Sequence, residues 1–428
     1  MVEKKSVNSS VDTAATQCSL NLAAARSVLA AGEKSTLCLK IGATGSEMES
    51  ETKRPRLNVA LVIDRSGSMC GSKIEQAKHA ASYAVNQLRG DDIVSVVIYD
   101  DEVEVLVPAT KVTDKRDILS KIASIESGGC TALYAGTEKG AEEVKKFFEK
   151  GQVNRVILLS DGLANVGPSS PEELEKLGRK LGGEGICVTT LGLGEGYDED
   201  LMQKLAQASD GNHFFVTSEE KLVEVFDEEF KTATKVVASE VVCEVTCAKG
   251  VRPIRVLNRD AKIRGQKVSF SWNQIYSGHQ RYVLLEVEVP AGKDGEKLSL
   301  AEVKLTYANM VTHRAETVSG SVEVAYSASE EAVKASENEE VMKDYAEQTV
   351  AKAREEAIRM RDAGNIVGAQ YMLYGAVDDV KMYCPAMAED LVEEAKEVKD
   401  DSKWNTSRKK MRARANKIRT QQKGDSVR

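Results

Sequence analysis

VALVIDRSGSMCGSKIEQAK, residues 59–78, is the stretch whose reading decides the fold. An unbroken apolar run ends in Asp64, two serines follow at alternate positions, and a helical pattern begins after a glycine. The full run "LNVALVID" (57–64) has the signature of a strand covered on both faces. Ile74, Ala77, Ala81, Ala84, Val85 and Leu88 then keep a 3.6-residue period, which predicts a helix over about 73–88.

The same grammar repeats downstream. "DIVSVVIYD" (92–100), "RVILLSD" (155–161), "ICVTTLGLG" (186–194) and "NHFFV" (212–216) read as further strands. "EVEVLVPAT" (102–110) alternates and follows its predecessor almost at once, so it is expected to pair antiparallel at an edge. Asp114 is expected to cap one helix, Pro171 to open another, and further helices to cover about 133–149, 198–209 and 218–234. Repeated βα units predict an α/β doubly wound, Rossmann-like domain over 54–234. In its last helix Leu222, Val225, Phe226 and Phe230 should pack on the sheet, with Glu219, Glu220, Glu224, Asp227, Glu228 and Glu229 facing solvent.

Either side of this domain the pattern changes. Residues 235–326 alternate with period two between turn signals such as "AGKDGEK", which predicts an antiparallel β-sandwich. The leader, 1–53, holds two strand-like pieces, "QCSLNLA" and "STLCLKIGA", too few to fold alone. They are expected to join the sandwich, leaving the α/β domain inserted in it. Residues 327–428 form a C-terminal α-helical region in which 353–380 reads as a hairpin broken at Gly364-Asn365, similar to one tetratricopeptide-like unit.

Charge and cysteine usage narrow the function classes. The net charge is -8, yet residues 401–428 carry ten Lys or Arg against two Asp, a net of +8, which leaves -16 on residues 1–400. An acidic body argues against nucleic acid as the main ligand; the basic tail could touch an acidic surface, but it reads first as a solvated helix end or a frayed terminus. The start "MVEKKSVNSS" lacks the apolar core of a secretory signal, and no run approaches the ~18 residues of a membrane helix. Eight cysteines at scattered spacings make no disulfide framework and read as mostly buried, reduced thiols. The expectation is a cytoplasmic protein.

Ligands of an open parallel sheet gather at the carboxyl ends of its strands. Asp64 and Asp161 both end buried strands, Ser66 and Ser68 follow the first, and "SGGCTALYAG" (127–136) offers Thr131 ahead of a helix. Two carboxylates and three hydroxyls, with no sulfur or imidazole, suit a hard cation: Mg²⁺ first, Mn²⁺ or Ca²⁺ as rivals. A lone D-x-S-x-S would serve as a helix cap, but a cap uses one side chain.

These three loops, Asp64-Arg65-Ser66-Gly67-Ser68, Thr131 and Asp161-Gly162, resemble the complete metal-ion-dependent adhesion site (MIDAS) of the von Willebrand factor type A (vWA) fold. The resemblance covers about 180 residues, in the family's order, and "LLSDGLANVG" is most similar to intracellular, single-chain vWA proteins. It implies that Ser66 and Ser68 bind the cation directly and Thr131 directly or through water. Asp64 and Asp161 would act largely through water and hydrogen bonds. A protein partner's Asp or Glu would complete the coordination, making the chain a binding module and not an enzyme. Another reading within the resemblance is a partner of an AAA+ ATPase in metal insertion or complex remodelling. A metal-dependent hydrolase is the third reading, and it lacks a base: His79, His213, His279 and His313 all lie outside the three loops.

Overall fold

The computed structural model describes residues 16–48, 54–149, 151–161, 164–194, 197–216 and 218–421, with the backbone alone at Glu219 and Glu220. Numbered in chain order, β1 (Cys18–Ala24), β2 (Val28–Ala30) and β3 (Ser35–Gly45) precede β4 (Leu57–Asp64), the strand on which the sequence reading turned. All of β4 is buried, as a strand between two layers must be. It feeds α1 (Ser72–Gln87), followed by β5 (Ile93–Tyr99), β6 (Val103–Lys111), α2 (Lys115–Ala123) and α3 (Leu133–Lys145). Then come β7 (Val153–Ser160), α4 (Pro171–Gly183), β8 (Cys187–Leu193), α5 (Glu199–Ala208), β9 (His213–Val216) and α6 (Glu219–Ala233).

These strands form one sheet in the order β6-β5-β4-β7-β8-β9, parallel except for the edge strand β6, as its alternation predicts. Side chains leave β4 on alternate faces. Leu57, Val59, Leu61 and Ile63 join a core with α1, α2 and α6, and Ala60 and Val62 join another with α3, α4 and α5. Asp114 caps α2 through the N–H groups of Arg116 and Asp117, and Ser170 forms a capping box with Glu173 ahead of α4. The chain leaves β4 toward β5 on one side and returns to β7 on the other. The switch in strand order therefore opens between β4 and β7.

The helix α6 buries Leu222, Val225, Phe226 and Phe230 as its spacing predicts. One of its acids departs from the expectation. Glu224 is exposed and Asp227 and Glu228 are half-buried, but Glu229 is buried. Its carboxylate accepts from Arg155 of β7, Thr189 of β8 and Asn212. A buried charge that meets an ion pair and two further donors is satisfied, which a single-residue hydrophobicity reading does not register. Glu219 and Glu220 carry no described side chains, so their part of that expectation lies outside the described residues.

The remaining strands are β10 (Val236–Cys247), β11 (Arg252–Val256), β12 (Lys262–Arg264), β13 (Lys267–Tyr276), β14 (Gln280–Val289), β15 (Lys297–Asn309) and β16 (Ala315–Ser327). They form a four-stranded sheet, β1-β3-β14-β11, and a six-stranded sheet, β12-β13-β10-β15-β16-β2. Strands from the leader thus pair with strands that lie beyond the α/β segment: β3 runs antiparallel to β14 over ten residue pairs, and β2 runs parallel to β16. Both sheets contribute to one core, with Leu39, Ile41, Val283 and Leu285 from the first and Cys243, Val245, Trp272 and Leu305 from the second. Polar contacts join this unit to the parallel sheet. Asp210 accepts from Arg259 and Arg281, and Arg155 donates to Gln274 at 2.8 Å.

A helical region closes the chain: α7 (Glu330–Ala335), α8 (Glu339–Asp362), α9 (Ile366–Val380), α10 (Pro385–Glu397) and α11 (Asp401–Thr420). The hairpin break falls at Gly364-Asn365, where Gly364 takes a φ of +82° and Asn365 caps α9. The basic tail corrects the sequence reading. Through Thr420 it is a helix packed on α8 and on α5, with Arg408 bonded to Glu199, Asp200 and Asp362 and Arg412 to Asp200. Its positive charge meets the acidic first turn of α5, a partner more than 200 residues away in sequence. The cysteines are mostly buried, as expected: six are buried, Cys70 and Cys130 are exposed, and all eight are free.

Candidate metal centre

Asp64 ends β4 with its side chain 0% exposed, at the switch point. One oxygen, Oδ1, accepts the backbone N–H of Ser66 at 2.8 Å, and Oδ2 accepts the hydroxyl of Ser160, the last residue of β7, at 2.6 Å. The carboxylate therefore ties the first loop to the neighbouring strand. Burial pushes its pKa up, against the opposing hydrogen bonds from Ser160 and Ser66, and nearby Asp161 adds to the rise.

From Ser66 the chain makes one 3-10 turn, Gly67–Met69, which returns Ser68 toward the sheet and plugs Met69 into the core. Ser66 Oγ and Ser68 Oγ are 3.1 Å apart, and Ser68 Oγ donates to Asp161 Oδ1 at 2.8 Å. Four of the expected residues, Asp64, Ser66, Ser68 and Asp161, thus form one hydrogen-bonded chain from β4 to the end of β7.

Thr131 is buried, and the backbone brings it to the cluster. Gly67 N–H donates to the carbonyl of Gly129 and Gly128 N–H to that of Arg65, joining the first loop to the second. The Thr131 N–H donates to Asn165 Oδ1 at 2.8 Å, and its carbonyl accepts from the N–H groups of Asn165 and Val166, joining the second loop to the third. Gly162, part of the third motif, lies outside the described residues.

Four residues here escape the motif. Ser160 holds Asp64, Asn165 holds Thr131, and Lys73 of α1 contacts Asp161. Tyr99, the last residue of β5, buries its hydroxyl against Asp64 and Ser160. Burial, and after it the negative charge of Asp64, raises the Tyr99 pKa well above its ordinary value. Gly136 lets α3 cross this ring, since a Cβ there would fall 2.5 Å from it. The one available signal for Ser160 was a serine ending an apolar strand directly before Asp161.

The donor chemistry fits a hard divalent cation. Two deeply buried carboxylates and three hydroxyls offer oxygen alone, and buried negative charge calls for a compensating cation. Among the described residues no three His, Cys, Asp or Glu side chains group as a metal site of those ligands would. His213 is occupied elsewhere: it lies between Thr190 and Tyr197 at 2.8 and 3.0 Å, and burial drops its pKa to about 4.

A parallel sheet with helices on both faces, carrying this loop cluster at its switch point, defines a class. Residues 58–228 match the family profile of the von Willebrand factor type A domain, so this part of the chain is a vWA domain. Among curated proteins the chain is similar to YfbK of Escherichia coli, 28% identical over 215 residues, which is 50% of this chain and 37% of that protein. It is also 31% identical over 163 residues to the inter-alpha-trypsin inhibitor heavy chain H3 of Homo sapiens, covering 36% of this chain and 18% of that one. The chain spans less than half the length of the curated relatives it matches. Two solved structures share the fold over nearly the whole chain. A von Willebrand factor type A protein from Catenulispora acidiphila aligns with a TM-score of 0.71 at 18% identity, over 90% of this chain and 91% of that one. The ArnB paralog VWA2 from Sulfolobus acidocaldarius aligns at 0.65 and 17%, over 96% and 100%.

Proposed function

We propose that the three loops form a complete MIDAS-type site and that the chain is a divalent-metal-dependent protein-binding module. The observation that carries the reading is the continuous bonding from Ser160 through Asp64, Ser66 and Ser68 to Asp161, at the point where a doubly wound sheet receives ligands. Ser66, Ser68 and Thr131 are the residues that would hold the cation, with Mg²⁺ preferred over Mn²⁺ or Ca²⁺ on donor hardness. Asp64 and Asp161 orient those hydroxyls. When bound, the cation supplies a centre of positive charge that attracts a carboxylate from a protein partner. Neutral hydroxyl donors leave most of that charge available.

We read the role as binding and not catalysis, because both carboxylates of the site are already engaged, Asp64 by Ser66 and Ser160 and Asp161 by Ser68 and Lys73, and no histidine is on these loops to serve as a base. We place the chain in the cytoplasm, where free thiols stay reduced. Among the described residues no helix is long and apolar enough to cross a membrane.

A pull-down with the full chain in Mg²⁺ and in chelator, read by mass spectrometry, tests the function. The expected result is a protein retained in Mg²⁺ and released by chelator, and lost when its own acidic contact residue is replaced by the amide. Recovery of an AAA+ ATPase would define the remodelling role. Retention of the same proteins in both buffers would overturn metal-dependent binding.

A further inference from the structure

The metal centre has a neighbour on α1 outside its three motifs. Lys73 stands in the first turn of that helix, where a cation opposes the helix dipole. Its side chain turns to the site. The Nζ donates to Asp161 Oδ2 at 2.6 Å and to the backbone carbonyl of Ser68 at 3.2 Å. Asp161 is thereby engaged at both oxygens, by the Ser68 hydroxyl on one side and by an ammonium on the other. The pairing is asymmetric in burial: the Asp161 side chain is 2% exposed and that of Lys73 33%. The stem of Lys73 passes over Gly194, where a Cβ would lie 3.3 Å from the lysine Cε, so the loop after β8 leaves room for this approach.

We infer that Lys73 is a tethered competitor that sets the cation affinity of the site. Its ammonium and a divalent cation draw on the same carboxylate, Asp161, and the same loop residue, Ser68. This rests on the metal-binding reading above. Removing the ammonium acts twice in one direction, freeing an oxygen of Asp161 and relieving repulsion between like charges. Were Lys73 instead a support that aims Asp161 at the cation, its removal would weaken binding. The sign of the change separates the two roles.

The test is titration of Mn²⁺ and of Mg²⁺ into the full chain and into Lys73→Met and Lys73→Gln, by calorimetry and by Mn²⁺ electron paramagnetic resonance. Melting curves in chelator and in metal accompany them. Methionine keeps the unbranched stem over Gly194, and glutamine keeps a polar end, so loss of fold in one variant leaves the other. Both variants are expected to bind cation more tightly than the parent, by roughly two- to fivefold, the order of one partly exposed ion pair. Their melting temperature should drop in chelator, where Asp161 loses its ammonium partner, and rise further on adding metal than the parent's does. Equal or weaker affinity in the variants overturns it and leaves the metal site standing. Absence of cation binding in all three chains overturns both.

Discussion

Asp64 spends its two oxygens on different parts of the chain, one on the backbone of Ser66 and one on the hydroxyl of Ser160. That division makes the loop cluster a property of the β4–β7 junction and not of a single motif. His213 shows the same economy with a titratable ring, held between Thr190 and Tyr197 and tilted 44° to the ring of that tyrosine. Burial lowers its pKa from 6.5 to about 4, so the folded chain favours the neutral ring. Its contribution is fully present above pH 6.5 and is lost as pH falls toward 4. Denaturant melts at a series of pH values should show the parent losing about 2 kcal/mol more than His213→Gln between pH 7 and pH 5. Parallel pH profiles for the two chains would contradict this account of the ring. At this scale Asp64, Ser66, Ser68, Thr131 and Asp161 were legible in the sequence, because each stands at a strand end or a helix entry. Ser160, Asn165 and Lys73 were not, since each acts on a residue from another loop and only the tertiary fold brings them together.

The helix α6 illustrates what an element adds. Its apolar stripe was readable from spacing, and Leu222, Val225, Phe226 and Phe230 are all buried. Glu229 was read as solvent-facing because it continues an acidic run, yet it anchors α6 to β7 and β8 through Arg155 and Thr189. Arg155 in turn reaches Gln274 and Tyr276 of β13, so one buried pair fixes the last helix, the parallel sheet and the six-stranded sheet together. Glu229→Ala leaves the Arg155 guanidinium buried without its counter-charge and should cost about 3–5 kcal/mol in chemical denaturation. The double variant Arg155→Met, Glu229→Leu should recover most of that loss. A single variant within 1 kcal/mol of the parent would show that the pair is not the anchor proposed here.

At the scale of the whole molecule, the chain begins one sheet, leaves it for the vWA domain, and comes back to finish it. The alternating leader pieces made this arrangement readable, because strands too few to fold alone must find partners. Removal of residues 1–53 takes β1 and β3 from a four-stranded sheet and exposes β14, so hydrogen exchange should quicken across 240–320. Unchanged exchange there would mean that the later strands form a stable sheet unaided. The docked basic helix α11 was not legible, for its arginines are paired with α5 and α8 across distances that composition does not report. The central claim remains the cation at the β4–β7 switch point, and a calorimetric titration of Mg²⁺ into the parent chain and into Asp161→Ala tests it most directly. The account predicts one-site binding in the parent and none in the variant, with far-UV circular dichroism near native in both; equal binding in the two chains would contradict it.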